Sequence, residues 1–381
     1  MPKRGNGEGS ISKRSGGGWM AQYYVLSGTG GRERRTLYAK TRTEAARKLA
    51  RAIGERDTGF VVDAGRLTMG DYLERWLEDS VKGTVRTSTY EAYRYMVEPH
   101  LVPFLGALKL RDINPVHVRA LYREKLEAGL SAATVRKMHA VLSKAMKQAV
   151  MDGLVHRNVC DSVRPPRLAR KEIRPLDPEQ AGALLRAAAS DRLEALYVLA
   201  VHTGMREGEL LGLKWEDVSL DGEEPVLRLR RALVREAGKV ALGELKTPKS
   251  RRQVRLTRAA AGALRAHLAR QMEEIERAGP SYRAGGLVFA TESGSPINPS
   301  NLRNRSFKPL LRRAGLAGIC FHDLRHTCAT LLLTRNVHPK LVQELLGHAT
   351  ISMTLDTYSH FLPSMGDQTV RAMEAALGSA P

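Results

Sequence analysis

Two adjacent prolines interrupt a helical pattern at Arg164-Pro165-Pro166-Arg167-Leu168-Ala169-Arg170-Lys171, and no helix can be carried through them. Proline fixes φ, removes a backbone N–H and pushes the preceding residue out of the helical region. The chain is thereby divided into parts that must each bury their own apolar faces. At 381 residues it is also too long for one ordinary core, so two or three domains are expected. Residues 165–176 read as an extended basic linker.

On the N-terminal side two patterns follow one another. Up to Asp63 the chain carries 13 Lys/Arg against 6 Asp/Glu. Short β-like runs at Ser10 to Arg14, Trp19 to Leu26 and Arg34 to Ala39 are separated by Gly16-Gly17-Gly18 and Gly28-Thr29-Gly30-Gly31, which suit hairpin loops. Thr41-Arg42-Thr43-Glu44 is a capping box opening a helix through Glu55. Residues 1–63 are therefore expected to form a three-stranded sheet with one helix. From Leu67 to Arg164 the period becomes helical, with helices over Met69 to Glu78, Ser88 to Val97, Pro115 to Ala128 and Ala132 to Asp152. Asn114 before Pro115, and Ser131, are N-caps. Trp76, Leu77, Tyr93, Leu121, Val141, Leu142 and Met146 are read as the core of a four-helix unit over 67–164. Arg86, Arg94, Arg136, Lys137, Lys144 and Lys147 are left outside it.

Past the linker, Asp177-Pro178-Glu179-Gln180 restarts a helix, and 177–381 is mostly helical with one β interruption from Pro225 to Leu256. The fold class is multidomain α+β, with a mainly α C-terminal domain holding a small antiparallel sheet.

The formal net charge of +21 is far from what a small neutral substrate needs and favours a polyanion, nucleic acid being the commonest. The Met1-Pro2-Lys3-Arg4 start lacks a signal peptide's apolar stretch, and no apolar run approaches the ~20 residues of a membrane span. Cys160, Cys320 and Cys328 are odd in number with no CxxC spacing, which fits free thiols in a reducing cytoplasm.

The C-terminal region carries an ordered set of chemically capable residues. Thr203-Gly204-Met205-Arg206-Glu207-Gly208-Glu209-Leu210 and His322-Asp323-Leu324-Arg325-His326 each supply an arginine. Arginine forks meet phosphate oxygens bidentately and stay charged, so Arg206 and Arg325 are the candidate clamp for a phosphodiester. Glu209, one turn from Arg206, can hold its guanidinium. Lys246 lies in Leu245-Lys246-Thr247-Pro248-Lys249-Ser250-Arg251-Arg252, between strand-like runs at Pro225 to Val234 and Gln253 to Thr257. It can protonate a departing 5′-oxygen, and Lys249 in the same turn is its rival. His322 and His326 have metal-ligand spacing, but the residue after His322 is Asp323 and Arg325 would put positive charge beside the ion. His348 follows a helix-ending glycine in Leu346-Gly347-His348, where capping alone could explain it. Tyr358 would by default be a half-buried packing residue. A nucleophilic tyrosine needs cations or a base beside it, because phenol titrates near ~10. Two arginines and His322 provide both.

In this order Arg206, Lys246, His322-x-x-Arg325, His348 and Tyr358 resemble the catalytic set of the tyrosine recombinase (phage integrase) family. The surrounding words match as well: Lys246-Thr247 with Ser250 and Arg252, and His322-Asp323-Leu324-Arg325-His326-Thr327. The resemblance covers the C-terminal 210 residues or so. The helical 67–164 resembles the family's core-binding domain and the sheet-plus-helix 1–63 its arm-type DNA-binding domain, leaving 177–381 as the catalytic domain. The resemblance implies DNA strand exchange with no metal or other cofactor. Tyr358 would attack the scissile phosphate, giving a 3′-phosphotyrosyl link, and a partner strand's 5′-hydroxyl would then resolve it through a Holliday junction. Arg206, Arg325 and His348 would stabilise the phosphorane, His322 would take the tyrosine proton, and Lys246 would supply one to the leaving oxygen. The implied partners are double-stranded DNA at core and arm attachment sites and three further copies in a homotetramer, with an excisionase or DNA-bending protein as a further candidate. Competing readings are a type IB topoisomerase-like enzyme, a non-catalytic DNA-binding regulator with the same fold, and, distantly, a zinc hydrolase.

Overall fold

The computed structural model describes residues 9–26, 32–57, 66–168, 173–189, 191–236, 239–245, 250–359 and 366–378. The chain separates into two compact units, Met1–Arg170 and Lys171–Pro381.

In the first unit, β1 (Ser10–Lys13), β2 (Trp19–Leu26) and β3 (Arg32–Ala39) form an antiparallel sheet in chain order. Helix α1 (Arg42–Asp57) covers one face. Thr41 Oγ1 accepts from Glu44 N at 3.2 Å, and the Glu44 carboxylate reaches back to accept from Lys40 N at 3.1 Å, so the helix start is tied to the chain entering it. Ala21, Tyr23 and Val25 on β2 meet Ala45, Leu49 and Ala52 on α1 in a small core. The first three alternate along a strand and the others recur at helical spacing, so the two periods intersect at one interface. Tyr24 and Tyr38 are left exposed, with the Arg14 guanidinium 4.7 Å above the Tyr38 ring.

A second core belongs to four helical segments. They are α2 (Met69–Arg75) running into a wide turn at Trp76–Val81, α3 (Thr87–Met96), α5 (Pro115–Glu127) and α6 (Ala132–Met151). The helix expected over Ser88 to Val97 does not end at Val97. α3 continues through a π-type turn, Val97–Leu101, into α4 (Val102–Leu105) despite Pro99. The widened turn bonds Val102 N to Val97 O, so the N–H that Pro99 lacks falls where the ladder is already altered. Asn114 accepts from Val116 N and His117 N, and Ser131 from Thr134 N, as N-caps. Tyr93 is only partly buried, stacked on Trp76 with ring centroids 5.9 Å apart. Lys144 lies over Tyr93 and donates to its hydroxyl at 3.1 Å.

The second unit opens with Asp177 and Gln180 in a reciprocal capping box on α7 (Pro178–Ala188). α8 (Glu194–Thr203) is buried almost all round, as a central helix must be when apolar on every side. Gly204, at φ +59°, ends it, and α9 (Glu207–Leu211) follows. The β region departs from a single hairpin. β4 (Val218–Ser219), β5 (Val226–Leu229) and β8 (Arg252–Arg255) form one sheet, while β6 (Arg231–Glu236) pairs with an unforeseen β7 (Lys239–Glu244). The run from Pro225 to Val234 thus changes partner at Arg230. There Arg230 Nε and Arg231 Nη1 reach the buried Asp217 carboxylate at 3.4 and 3.0 Å, anchoring the crossover. The long α10 (Arg258–Ala278) and, after the short α11 (Pro299–Asn301), a wide turn at Leu302–Phe307 and α12 (Lys308–Arg313) complete the main core. α13 (Asp323–Thr334), α14 (Pro339–Leu346) and α15 (Ile351–Tyr358) enclose a smaller one of Ala329, Leu333, Val342, Leu346 and Tyr358. In α16 (Gly366–Leu377) the side chains of Val370, Met373 and Leu377 are exposed. Among the described residues, no helix is long and apolar enough to cross a membrane.

Candidate active site

Arg206 stands at the N-cap of α9, two residues after the left-handed Gly204 that turns the chain out of α8. Its Nη1 donates to Glu209 Oε1 at 2.8 Å, and its backbone N–H donates to Glu209 Oε2 at 3.0 Å. The Arg206 side chain is 37% exposed, whereas Glu209 is buried. Arg252, at the start of β8, donates from Nη2 to Glu209 Oε2 at 3.0 Å. Burial alone would raise the Glu209 carboxyl; Arg252 first and then Arg206 outweigh it and hold the group below the usual carboxylate range.

Arg325 lies in the first turn of α13 and is buried. Its Nη1 donates to Gly204 O and its Nη2 to Leu346 O, each at 2.8 Å. Burial, with Arg206 adding to it, lowers its pKa to about 10, which leaves it charged at neutral pH. One guanidinium therefore ties together the turn before Arg206 and the turn before His348. Gly347, at φ +66°, ends α14 and delivers His348. A side chain there would be strained in that conformation and would sit 2.9 Å from Arg252 Nη1. His348 is buried with Nδ1 2.9 Å from Thr354 Oγ1. Burial first, then Arg325, Arg206 and Arg252, depress its pKa to about 4, so it is neutral at pH 7.

Tyr358 is 1% exposed. Its hydroxyl lies 2.6 Å from His326 Nδ1, and burial pushes its pKa up to about 12 while Arg325 opposes the rise. The residue at the hydroxyl is thus His326 and not His322. The His322 ring is edge-on to that of His326, centroids 4.9 Å apart, and it is exposed at the start of α13. Partial desolvation by the surrounding chain, then Arg325, lowers the His322 pKa. Lys246 and Lys249 lie outside the described residues; the chain on either side, Leu245 and Ser250, is buried. Among the described residues, no group of three or more His, Cys, Asp or Glu could hold a metal ion.

The structure thus brings Arg206, Glu209, Arg325 and His348 together and sets Tyr358 beside Arg325's helix. Three further participants escape a reading of the sequence. Arg252 appears there in a basic turn and His326 as half of a metal-like pair, each inside family-like words but with no role attached. Thr354, the partner of His348, carries no signal at all.

Comparison with known proteins bears on the whole chain. Residues 174–364 match the model of the phage integrase family, and residues 68–126 match that of the phage integrase N-terminal SAM-like domain. A tyrosine recombinase XerC-like protein of Caldanaerobacter subterraneus subsp. tengcongensis is 31% identical over 377 residues, covering 92% of this chain and 96% of the relative. Among solved structures, a Tn1549 transposon integrase in complex with circular intermediate DNA superposes with a TM-score of 0.66 at 20% identity, over 81% of this chain and 99% of that one. A lambda integrase tetramer bound to a Holliday junction gives 0.56 at 21% identity, over 96% and 97%. At these identities the two structures show a shared fold.

Proposed function

The chain belongs to the phage integrase family and is a tyrosine-type site-specific DNA recombinase, and we propose that Tyr358 is its nucleophile. In this reading the Tyr358 oxygen bonds to the scissile phosphorus as the bond to the 5′-oxygen breaks, leaving a 3′-phosphotyrosyl link. The phenolic proton passes to His322, exposed at the start of α13, once the hydroxyl has left its 2.6 Å contact with His326 Nδ1. Lys246 protonates the departing 5′-oxygen, Lys249 being its rival. Arg206, Arg325 and neutral His348 meet the charge that builds on the non-bridging oxygens. A partner strand's 5′-hydroxyl then attacks the phosphotyrosine, and through a Holliday junction a mobile element is integrated or excised.

One observation carries the proposal. The Arg325 fork bonds the carbonyls two residues before Arg206 and two residues before His348, so three remote segments converge on one cationic, largely enclosed site. Tyr358 is buried, and in this reading it meets DNA only after leaving its contact with His326. The exposed apolar face of α16 supports a tail that docks on a neighbouring copy, as a homotetramer on DNA requires. We assign 1–63 to arm-site binding, 67–164 to core-site binding, 165–176 to the linker and 177–381 to catalysis. An excisionase or DNA-bending partner and a cytoplasmic location complete the reading.

The test is Tyr358→Phe on a nicked suicide duplex. DNA binding should persist with no covalent adduct, since only the hydroxyl is lost; an adduct formed by the variant would sink the assignment.

A further inference from the structure

Arg252 is an arginine the proposed reaction does not use, yet it is among the most thoroughly engaged side chains at the site. Its side chain is 8% exposed, against 37% for Arg206. Nε donates to Leu345 O at 2.6 Å, Nη1 to Ser250 O at 3.2 Å and Glu209 Oε1 at 3.4 Å, and Nη2 to Glu209 Oε2 at 3.0 Å. So enclosed and so bonded a guanidinium is poorly placed to receive a phosphate. Its geometry suits holding other groups.

Two of those groups lead directly to the clamp. Glu209 presents Oε1 to the Arg206 guanidinium and Oε2 to its backbone N–H, and Arg252 touches the same two oxygens from the buried side. The carboxylate's rotation is thereby fixed, and with it the direction in which Arg206 is offered. On its other edge Arg252 holds Leu345 O while Arg325 holds Leu346 O, so two consecutive carbonyls before the Gly347-His348 turn are each tied to an arginine. The close approach depends on Gly347, where a Cβ would meet Arg252 Nη1 at 2.9 Å and Cδ and Cζ at 3.3 Å.

We propose that Arg252 is a positioning residue for the phosphate clamp, acting through Glu209 on Arg206 and through the Leu345 carbonyl on His348. It rests on the reading of Arg206 as a phosphate ligand. An arginine that merely stabilised the fold would slow every substrate alike. One that aims cations at phosphate oxygens matters only where those oxygens carry charge.

The experiment measures single-turnover cleavage by the full chain on nicked suicide duplexes whose scissile group is either a phosphate or a neutral methylphosphonate. On phosphate, Arg252→Gln should lose up to about 100-fold, the scale of a misplacement of order 1 Å at a catalytic group. On methylphosphonate the loss should shrink to within about threefold, because there is less charge to clamp. Arg252→Lys, which keeps the charge but not the fork, should fall between. In an Arg206→Ala, His348→Ala background, Arg252→Gln should add almost nothing on phosphate. If Arg252→Gln does not fold, Arg252→Lys carries the test alone, and its smaller loss should show the same substrate dependence. Equal losses on both substrates, or a full further loss in the double-variant background, would overturn the proposal. An Arg206→Ala protein that cleaves phosphate at the wild-type rate would instead overturn the clamp on which it rests.

Discussion

Replacing Glu209 with glutamine should cost the catalytic unit more stability than replacing the exposed arginine it holds. The carboxylate is 3% exposed and sits between Arg252, 8% exposed, and Arg206, 37% exposed. Glutamine keeps the volume but removes the charge and turns one acceptor into a donor facing arginine N–H groups. Removing one partner of a buried pair costs about 3–5 kcal/mol, because the other charge is stranded. Arg252 keeps the carbonyls of Leu345 and Ser250, and Arg206 can rehydrate, so the lower end, about 3 kcal/mol, applies here. For a unit of this size that is a fall in Tm of roughly 6–12 °C. Arg206→Gln, by contrast, leaves Glu209 paired with Arg252 and should cost no more than about 1 kcal/mol. Calorimetry of the full chain, following the transition assigned to the C-terminal unit, measures both. The pH dependence has a definite sign. A depressed carboxyl contributes stability above its unfolded value, near ~4.3, and loses it as pH falls through the folded value. The gap between wild type and Glu209→Gln should therefore close on acidification. A glutamine variant melting within about 1 °C of wild type at pH 7 would refute the buried-pair argument, and so would a gap that widens in acid.

His348, held near pKa 4 against ~6.5 when unfolded, should make the fold progressively less stable as pH drops across that interval, by at most about 3 kcal/mol. His348→Asn should flatten this decline, as measured by unfolding midpoints between pH 7 and 4; parallel declines would contradict it. If Lys246 protonates the leaving 5′-oxygen, Lys246→Ala should be slow on ordinary DNA but largely rescued by a 5′-bridging phosphorothiolate, whose sulfur needs no proton. Rescue in Lys249→Ala alone would move the role to Lys249. Truncation after Ser364 removes α16 with its exposed Val370, Met373 and Leu377 and should spare single-site DNA binding while abolishing synapsis and strand exchange. Recombination at the full-length rate would show that the tail has no part in assembly.

What the sequence determined by itself is local or periodic. The caps at Asn114, Ser131 and Asp177 are readable because each bonds a backbone N–H two or three residues ahead. The three-stranded sheet with one helix, the four helical segments and the mainly helical C-terminal unit follow from apolar periods of two and 3.6. The Arg206–Glu209 pair is legible for the same reason, being i,i+3 at a helix start.

Tertiary structure decided whatever depends on a partner far along the chain. The run through Arg230 reads as one strand, and its division between two sheets rests on Asp217, buried elsewhere in the fold. Arg325's acceptors are carbonyls 121 and 21 residues away, and backbone oxygens leave no mark in a sequence. His322 and His326 lie one turn apart and are equivalent by spacing. Only the packing of α15 against α13, which buries Tyr358 among Ala329, Leu333, Val342 and Leu346, sets the hydroxyl against His326. Arg252 reads as part of a family-like basic turn, with no role of its own, until β8, α9 and α14 close around it. Burial turns it from a solvated cation into a fixed support, because a guanidinium removed from water must find acceptors in the protein, and the fold alone decides which ones.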